Sequence, residues 1–150
     1  NCMSHLLLKE TFDNFSFIEG EITTFNKFTI SGFLQEDFFD EKPEETYSRW
    51  NKTRDFCFQI IRGKRTPLGF KIVLALPEDQ VPYFLTAHGL TGYRPEEIRG
   101  LYLNFHYDGH HLQCITGTSL NTFTMDKSIE REWDQEVKNI LKSRSIEGDY

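Results

Sequence analysis

The residues best suited to chemistry in this chain of 150 are cationic. Arg62, Lys64 and Arg65 crowd around Gly63 in "IIRGKRTPLGFKIVLAL", with Lys71 just downstream and Arg54 upstream. Guanidinium forks and ammonium groups beside a freed backbone can clasp a phosphate or carboxylate. "RGKRTP" lacks the glycine spacing and the Gly-Lys-Ser/Thr order of a nucleotide-binding P-loop, so the candidate is an anion or partner contact. The rival reading is that these charges are neutralised at home by the acidic segment that precedes them, or simply solvate a surface turn.

Other chemistry-bearing residues are weaker. In "LYLNFHYDGHHLQCIT" a two-residue Asp108-Gly109 turn would set His106 opposite His111, Phe105 opposite Leu112 and Leu103 opposite Cys114. Two imidazoles on one face begin a metal site, but zinc needs three or four ligands and no third can be named, so no metal and no cofactor is expected. Ser119 in "TGTSLN" and Cys114 lie near histidines in sequence without a nucleophile elbow, and Cys114 is expected to be buried and inert. Thr116 to Ser119 read as a tight connection between strands. No catalytic residue is assigned. In "QEDFFDEKPEE", one of the adjacent Phe38 and Phe39 is expected to anchor its loop to the core; for the other a packed loop is favoured over an exposed partner contact.

Charge is unevenly distributed. The formal net charge is −6. Arg49 to Lys71 nevertheless holds seven basic residues against one acidic, while Gln35 to Glu45 holds six acidic against one basic. The overall acidity speaks against general binding to nucleic acid or anionic lipid, and no aromatic RNA-binding motif is visible.

The elements that must position these residues follow from periodicity. Cys2 to Lys9 reads as the end of a short helix, and Phe15 to Phe25 with Phe28 to Leu34 as a hairpin, Gly20 marking a bulge. Pro43 is expected to open a helix carrying Tyr47 and Trp50. From Asp55 to Ile61 two patterns compete. Phe56, Phe58 and Ile60 alternate as a strand, whereas Tyr47, Trp50, Arg54 and Ile61 keep a helical period; the strand is favoured because Gly69 to Leu76 would pair with it around "RGKRTPL". Asp79 to His88 should be helical and end at Gly89, with another turn from Pro95 to Gly100. A short strand near Thr122 to Met125 then precedes a helix from about Asp126, striped by Ile129, Trp133, Val137, Ile140 and Leu141. The expected fold is a single α+β domain: a largely antiparallel sheet built from hairpins, packed against the C-terminal helix and one or two shorter helices.

No apolar run is long enough to span a membrane, and Cys2, Cys57 and Cys114 suit neither a disulfide framework nor a zinc knuckle, which fits a soluble protein of a reducing cytoplasm. "NCMSHLLL" carries no secretory signal, and Asn1 in place of an initiating Met suggests missing upstream residues. On "IRGKRTPLGFKIV", "TGTSLNTFTMDKSIEREWD", "MSHLLL" and "ITTF", the chain resembles a family of small uncharacterised bacterial proteins, a domain of unknown function seen mainly in anaerobic Firmicutes. The resemblance places lysine more often at Arg62, implies a short strand-like segment before Met3-Ser4, and implies a bacterial cytoplasmic setting but no activity.

The functional expectation is a non-catalytic binding or interaction module that contacts an anionic ligand or protein partner through Arg62, Lys64 and Arg65, assisted by Lys71 and Arg54. The alternatives are an enzyme acting on a small anionic metabolite through His106, His111 or Ser119, and a homo-oligomer joined through sheet edges or Phe38-Phe39.

Overall fold

Alternating apolar side chains build one sheet, and helical stripes cover one side of it. The computed structural model describes residues 1–150. Five strands, β1 (Ser16–Thr23), β2 (Lys27–Ser31), β3 (Gly69–Ala75), β4 (Ile98–Tyr107) and β5 (Leu112–Leu120), lie in the order β2-β1-β3-β4-β5, every neighbouring pair antiparallel. Helices α1 (Cys2–Leu7), α2 (Trp50–Ile61), α3 (Val81–Ala87) and α4 (Ser128–Ser143) complete an α+β fold. The inward residues of β1, β3 and β4, among them Phe17, Ile72, Leu74, Leu103 and Phe105, share one core of 26 buried side chains with residues from all four helices.

The segment Asp55 to Ile61 is helix, against the strand expectation. Trp50, Cys57 and Ile61 form the buried stripe of α2, while Phe56 is left 69% exposed, as a helix requires and a one-faced strand would forbid. Tertiary bonds decide the matter. Trp50 Nε1 donates to the Leu6 carbonyl at 2.8 Å, and Arg54 donates to Asp13 Oδ1 at 2.8 Å and to the Lys9 carbonyl, so the first half of α2 is tied to the N-terminal segment. The helix opens at Trp50 rather than Pro43. Before it, Tyr47 and Arg49 are extended and bridge to Phe33 and Ser16. The residues Arg62 to Leu68 are therefore a helix-to-strand connection, not a hairpin tip.

Three smaller expectations also change. The β1 bulge falls at Ile18, between Phe17 and Glu19, while Gly20 pairs regularly and leaves room for the Phe17 ring. Thr116 to Ser119 lie within β5, and no strand forms at Thr122 to Met125. The β4–β5 connection has four residues, Asp108 to His111, because the Asp108 carboxylate accepts from the backbone N–H groups of His110 and His111 at 2.8 and 2.7 Å. The register moves by two residues as a result. His106 pairs with Gln113, Phe105 with Cys114 and Leu103 with Thr116, so sidedness survives but the His106–His111 pair does not.

The remaining helices follow their sequence signals, except that the turn opened by Pro95 ends at Glu97 and Ile98 to Gly100 already belong to β4. Gly89 takes φ +68° and ends the α3 segment, a conformation an L side chain rarely adopts. Ile129, Trp133, Val137 and Leu141 form the buried stripe of α4.

An ionic clamp joins α3 to α4. His88 Nδ1 meets Glu132 Oε2 at 2.8 Å and Nε2 meets Glu136 Oε2 at 2.7 Å, so only the imidazolium donates to both. Burial pulls the His88 pKa down, but the two carboxylate bonds outweigh it and the net direction is upward. A raised folded value contributes stability that is complete below the unfolded value near 6.5 and is lost as pH rises through the folded value. Urea midpoints at pH 6 and pH 9 should therefore fall more for wild type than for His88→Gln; equal falls would remove the imidazolium as the source.

Candidate functional site

Strand direction sorts the charged segments. β1 and α2 both run from the end of the sheet that carries the acidic segment to the end that carries the basic one. The acidic residues Glu36 to Glu45 leave and rejoin the fold beside the start of β1. There Leu34 N donates to Thr46 O at 3.0 Å and Phe17 N donates to Ser48 O at 2.7 Å. The connection Arg62 to Leu68 sits beside the end of β1, where Leu68 N donates to Thr23 O at 2.9 Å. Eight strand residues separate the two, roughly 23 Å at about 3.3 Å per residue. Neutralisation of the basic segment by the acidic one is thus excluded by the fold.

At the basic end, Arg62, Lys64 and Arg65 are exposed, and none has a carboxylate within salt-bridge distance. Gly63 has open space around it. Lys71 projects from the uncovered side of the sheet, in a row that the register runs through Thr29, Glu21, Lys71, His106 and Gln113. Its cross-strand neighbour Glu21 is engaged by Lys27 at 3.2 Å, and Lys71 itself makes no ion pair, with Glu19 further along the same side. Leu68, Lys71, His106 and Asp108 line a shallow recess of about 260 Å3 on this side. Of the connection only its last residue, Leu68, reaches this recess with Lys71; Arg62, Lys64 and Arg65 lie outside its lining. Asp108 and Glu21 are the anions of this recess, and the bonds of Asp108 to the His111 and His110 amides hold its carboxyl below the usual carboxylate range.

Arg54 is not part of this group. Its guanidinium is nearly covered and committed to Asp13 and the Lys9 carbonyl.

The other candidates are dispersed. Ser119 pairs with Gly100 near the acidic end of β5, while His106 and His111 lie at the basic end. His111 and Cys114 do share a groove of about 730 Å3 between β5, α4 and the C-terminal residues. Cys114 is partly rather than fully buried there, and burial pushes its thiol up to about 12, so it is protonated at neutral pH. No group of three or more His, Cys, Asp or Glu side chains is placed to hold a metal ion. Neither Phe38 nor Phe39 reaches the core. They pack edge-to-face on each other, with ring centroids 5.6 Å apart and Phe38 86% exposed.

Two residues at this end escaped the sequence reading. Phe25, in the β1–β2 turn, is 87% exposed and Leu68 is 70% exposed. Both flank Thr23, Leu68 through its N–H to the Thr23 carbonyl and Phe25 two residues further along the chain. A single apolar residue in a turn carries no periodic signal, which is why only the structure groups them.

A five-stranded antiparallel sheet with its helices on one side, and a cationic connection at one end of the strands, defines the class. The chain belongs to a family of unknown function, DUF5721, whose match covers residues 5–149. No curated protein and no solved structure matches it. No helix is long and apolar enough to cross a membrane.

Proposed function

We propose that this chain is a binding module whose basic end receives an anionic partner. The observation that carries the reading is that Arg62, Lys64, Arg65 and Lys71 are exposed and without counter-ions in a protein with a surplus of carboxylates. With 17 Lys and Arg against 23 Asp and Glu, carboxylates are available for these cations to pair with. Here the acidic segment stands at the far end of the sheet, Glu21 is held by Lys27, and Glu19, on the same side of β1, makes no ion pair with Lys71. Long cationic side chains around Gly63 can adjust to a carboxylate or phosphate surface, and the field they create speeds encounter with it.

The uncovered side of the sheet favours a protein or small anion over RNA. Its central row is Thr, Glu, Lys, His and Gln, with no aromatic platform on which bases could stack. Three free thiols support a reducing compartment, and we place the module in a bacterial cytoplasm on that basis and on the sequence resemblance.

Heparin serves as a probe of this surface. Wild type should be retained on immobilised heparin at low ionic strength and released by salt, and Arg62→Ala, Lys64→Ala and Arg65→Ala combined should abolish the retention. Unchanged retention of the triple variant would place binding elsewhere.

A further inference from the structure

The two ends of the sheet have matching designs. At the basic end, Leu68 stands exposed in the connection that carries Arg62, Lys64 and Arg65, and Phe25 stands exposed in the turn after Thr23, whose carbonyl accepts from Leu68 N. At the acidic end, Phe38 and Phe39 stand exposed among Glu36, Asp37, Asp40 and Glu41, and only Glu36 has a nearby cation, Lys42 at 3.7 Å. Each end is a small apolar centre within a charged rim, the anatomy of a protein contact, and the rims have opposite sign.

The two surfaces cannot meet within one chain, because the length of the sheet lies between them. They can meet between chains. We infer that the partner of the basic end is a second copy of this protein, bound head to tail, with the Glu36 to Glu41 loop of one copy seated on the Arg62 to Arg65 connection of the next. This rests on the reading of the basic end as a binding surface and names its occupant.

The geometry fixes the kind of assembly. The surfaces differ, so the contact is heterologous, and a pair keeps one free surface of each kind; chains grow unless the rotation closes a ring. A contact between two loops falls at the small end of interface sizes, and its charged rim makes it salt-sensitive. Association is therefore dependent on concentration and weakened by salt.

Two variants of the full chain test this in sedimentation velocity. One carries Arg62→Ala, Lys64→Ala and Arg65→Ala; the other carries Glu36→Gln, Asp37→Asn, Asp40→Asn and Glu41→Gln. Wild type should sediment faster as concentration rises at low salt, and as a single copy at high salt. Each variant alone should associate at least about tenfold more weakly. An equimolar mixture of the two should form a dimer and nothing larger, because only one pair of intact surfaces remains, and that recovery also shows both variants to be folded. A wild type that stays a single copy throughout, or a mixture that does not pair, overturns the head-to-tail contact. Heparin retention separates this from the broader reading. Retention without self-association removes the second copy and leaves the binding surface, whereas loss of both removes the surface itself.

Discussion

Gly32→Ala should destabilise the protein by about 3 kcal/mol or more, one of the largest effects expected of any single methyl group in this chain. A Cβ at Gly32 would stand 1.8 Å from the Phe17 carbonyl oxygen, where no side-chain atom can sit. Neither side can yield. Phe17 is fully buried with its ring 5.5 Å from that of Trp50, and Gly32 is held by its N–H to Ile18 O at 2.8 Å and by Ser48 N donating to its own carbonyl at 2.9 Å. The methyl group would push β2 off β1 and unseat the base of the acidic loop. Gly63→Ala is the internal control, since nothing lies within 4 Å of a Cβ there. Urea midpoints should fall sharply for the first and hardly move for the second; a native midpoint for Gly32→Ala would mean that the two backbones do not pass so closely.

Trp133→Ala should cost about 3–5 kcal/mol, a large share of the roughly 5–15 kcal/mol that holds a domain folded. The indole is fully buried on α4, packs edge-on against Phe84 at 5.6 Å, and donates from Nε1 to the Tyr102 carbonyl at 2.9 Å. It therefore binds α4 and α3 to β4 at one point. Trp133→Phe keeps much of the packing and loses the hydrogen bond, so its cost should be smaller, with about 1 kcal/mol from that bond. Chemical denaturation of both variants separates the two contributions. Similar losses for Ala and Phe would show that the hydrogen bond, not the ring volume, dominates.

Local patterns made much of the fold legible. β1 and β2 showed in their β-branched and aromatic runs, β4 and β5 in alternation around Asp108-Gly109, and α4 in its four-residue stripe. α2 was hidden because its code is not local. Phe56, Phe58 and Ile60 alternate convincingly, and what overrules them is Trp50 reaching Leu6 and Arg54 reaching Asp13, residues distant in sequence. The hairpin register was missed for a similar reason: the Asp108 side chain stabilises a four-residue connection that the dipeptide alone does not announce.

The candidate site was legible as composition and not as arrangement. Counting charges found Arg62, Lys64 and Arg65. It could not tell whether the adjacent acidic segment lay beside them, because that depends on α2 being a helix that crosses the sheet. With α2 in place, segments that are neighbours in sequence become opposite poles in space.

Heparin retention of the two charge variants side by side tests this polarity most directly. Removing the charges of Arg62, Lys64 and Arg65 should abolish retention, while neutralising Glu36, Asp37, Asp40 and Glu41 should leave it intact or strengthen it. Retention that survives the first change, or is lost with the second, would contradict a free cationic surface at the end of the sheet.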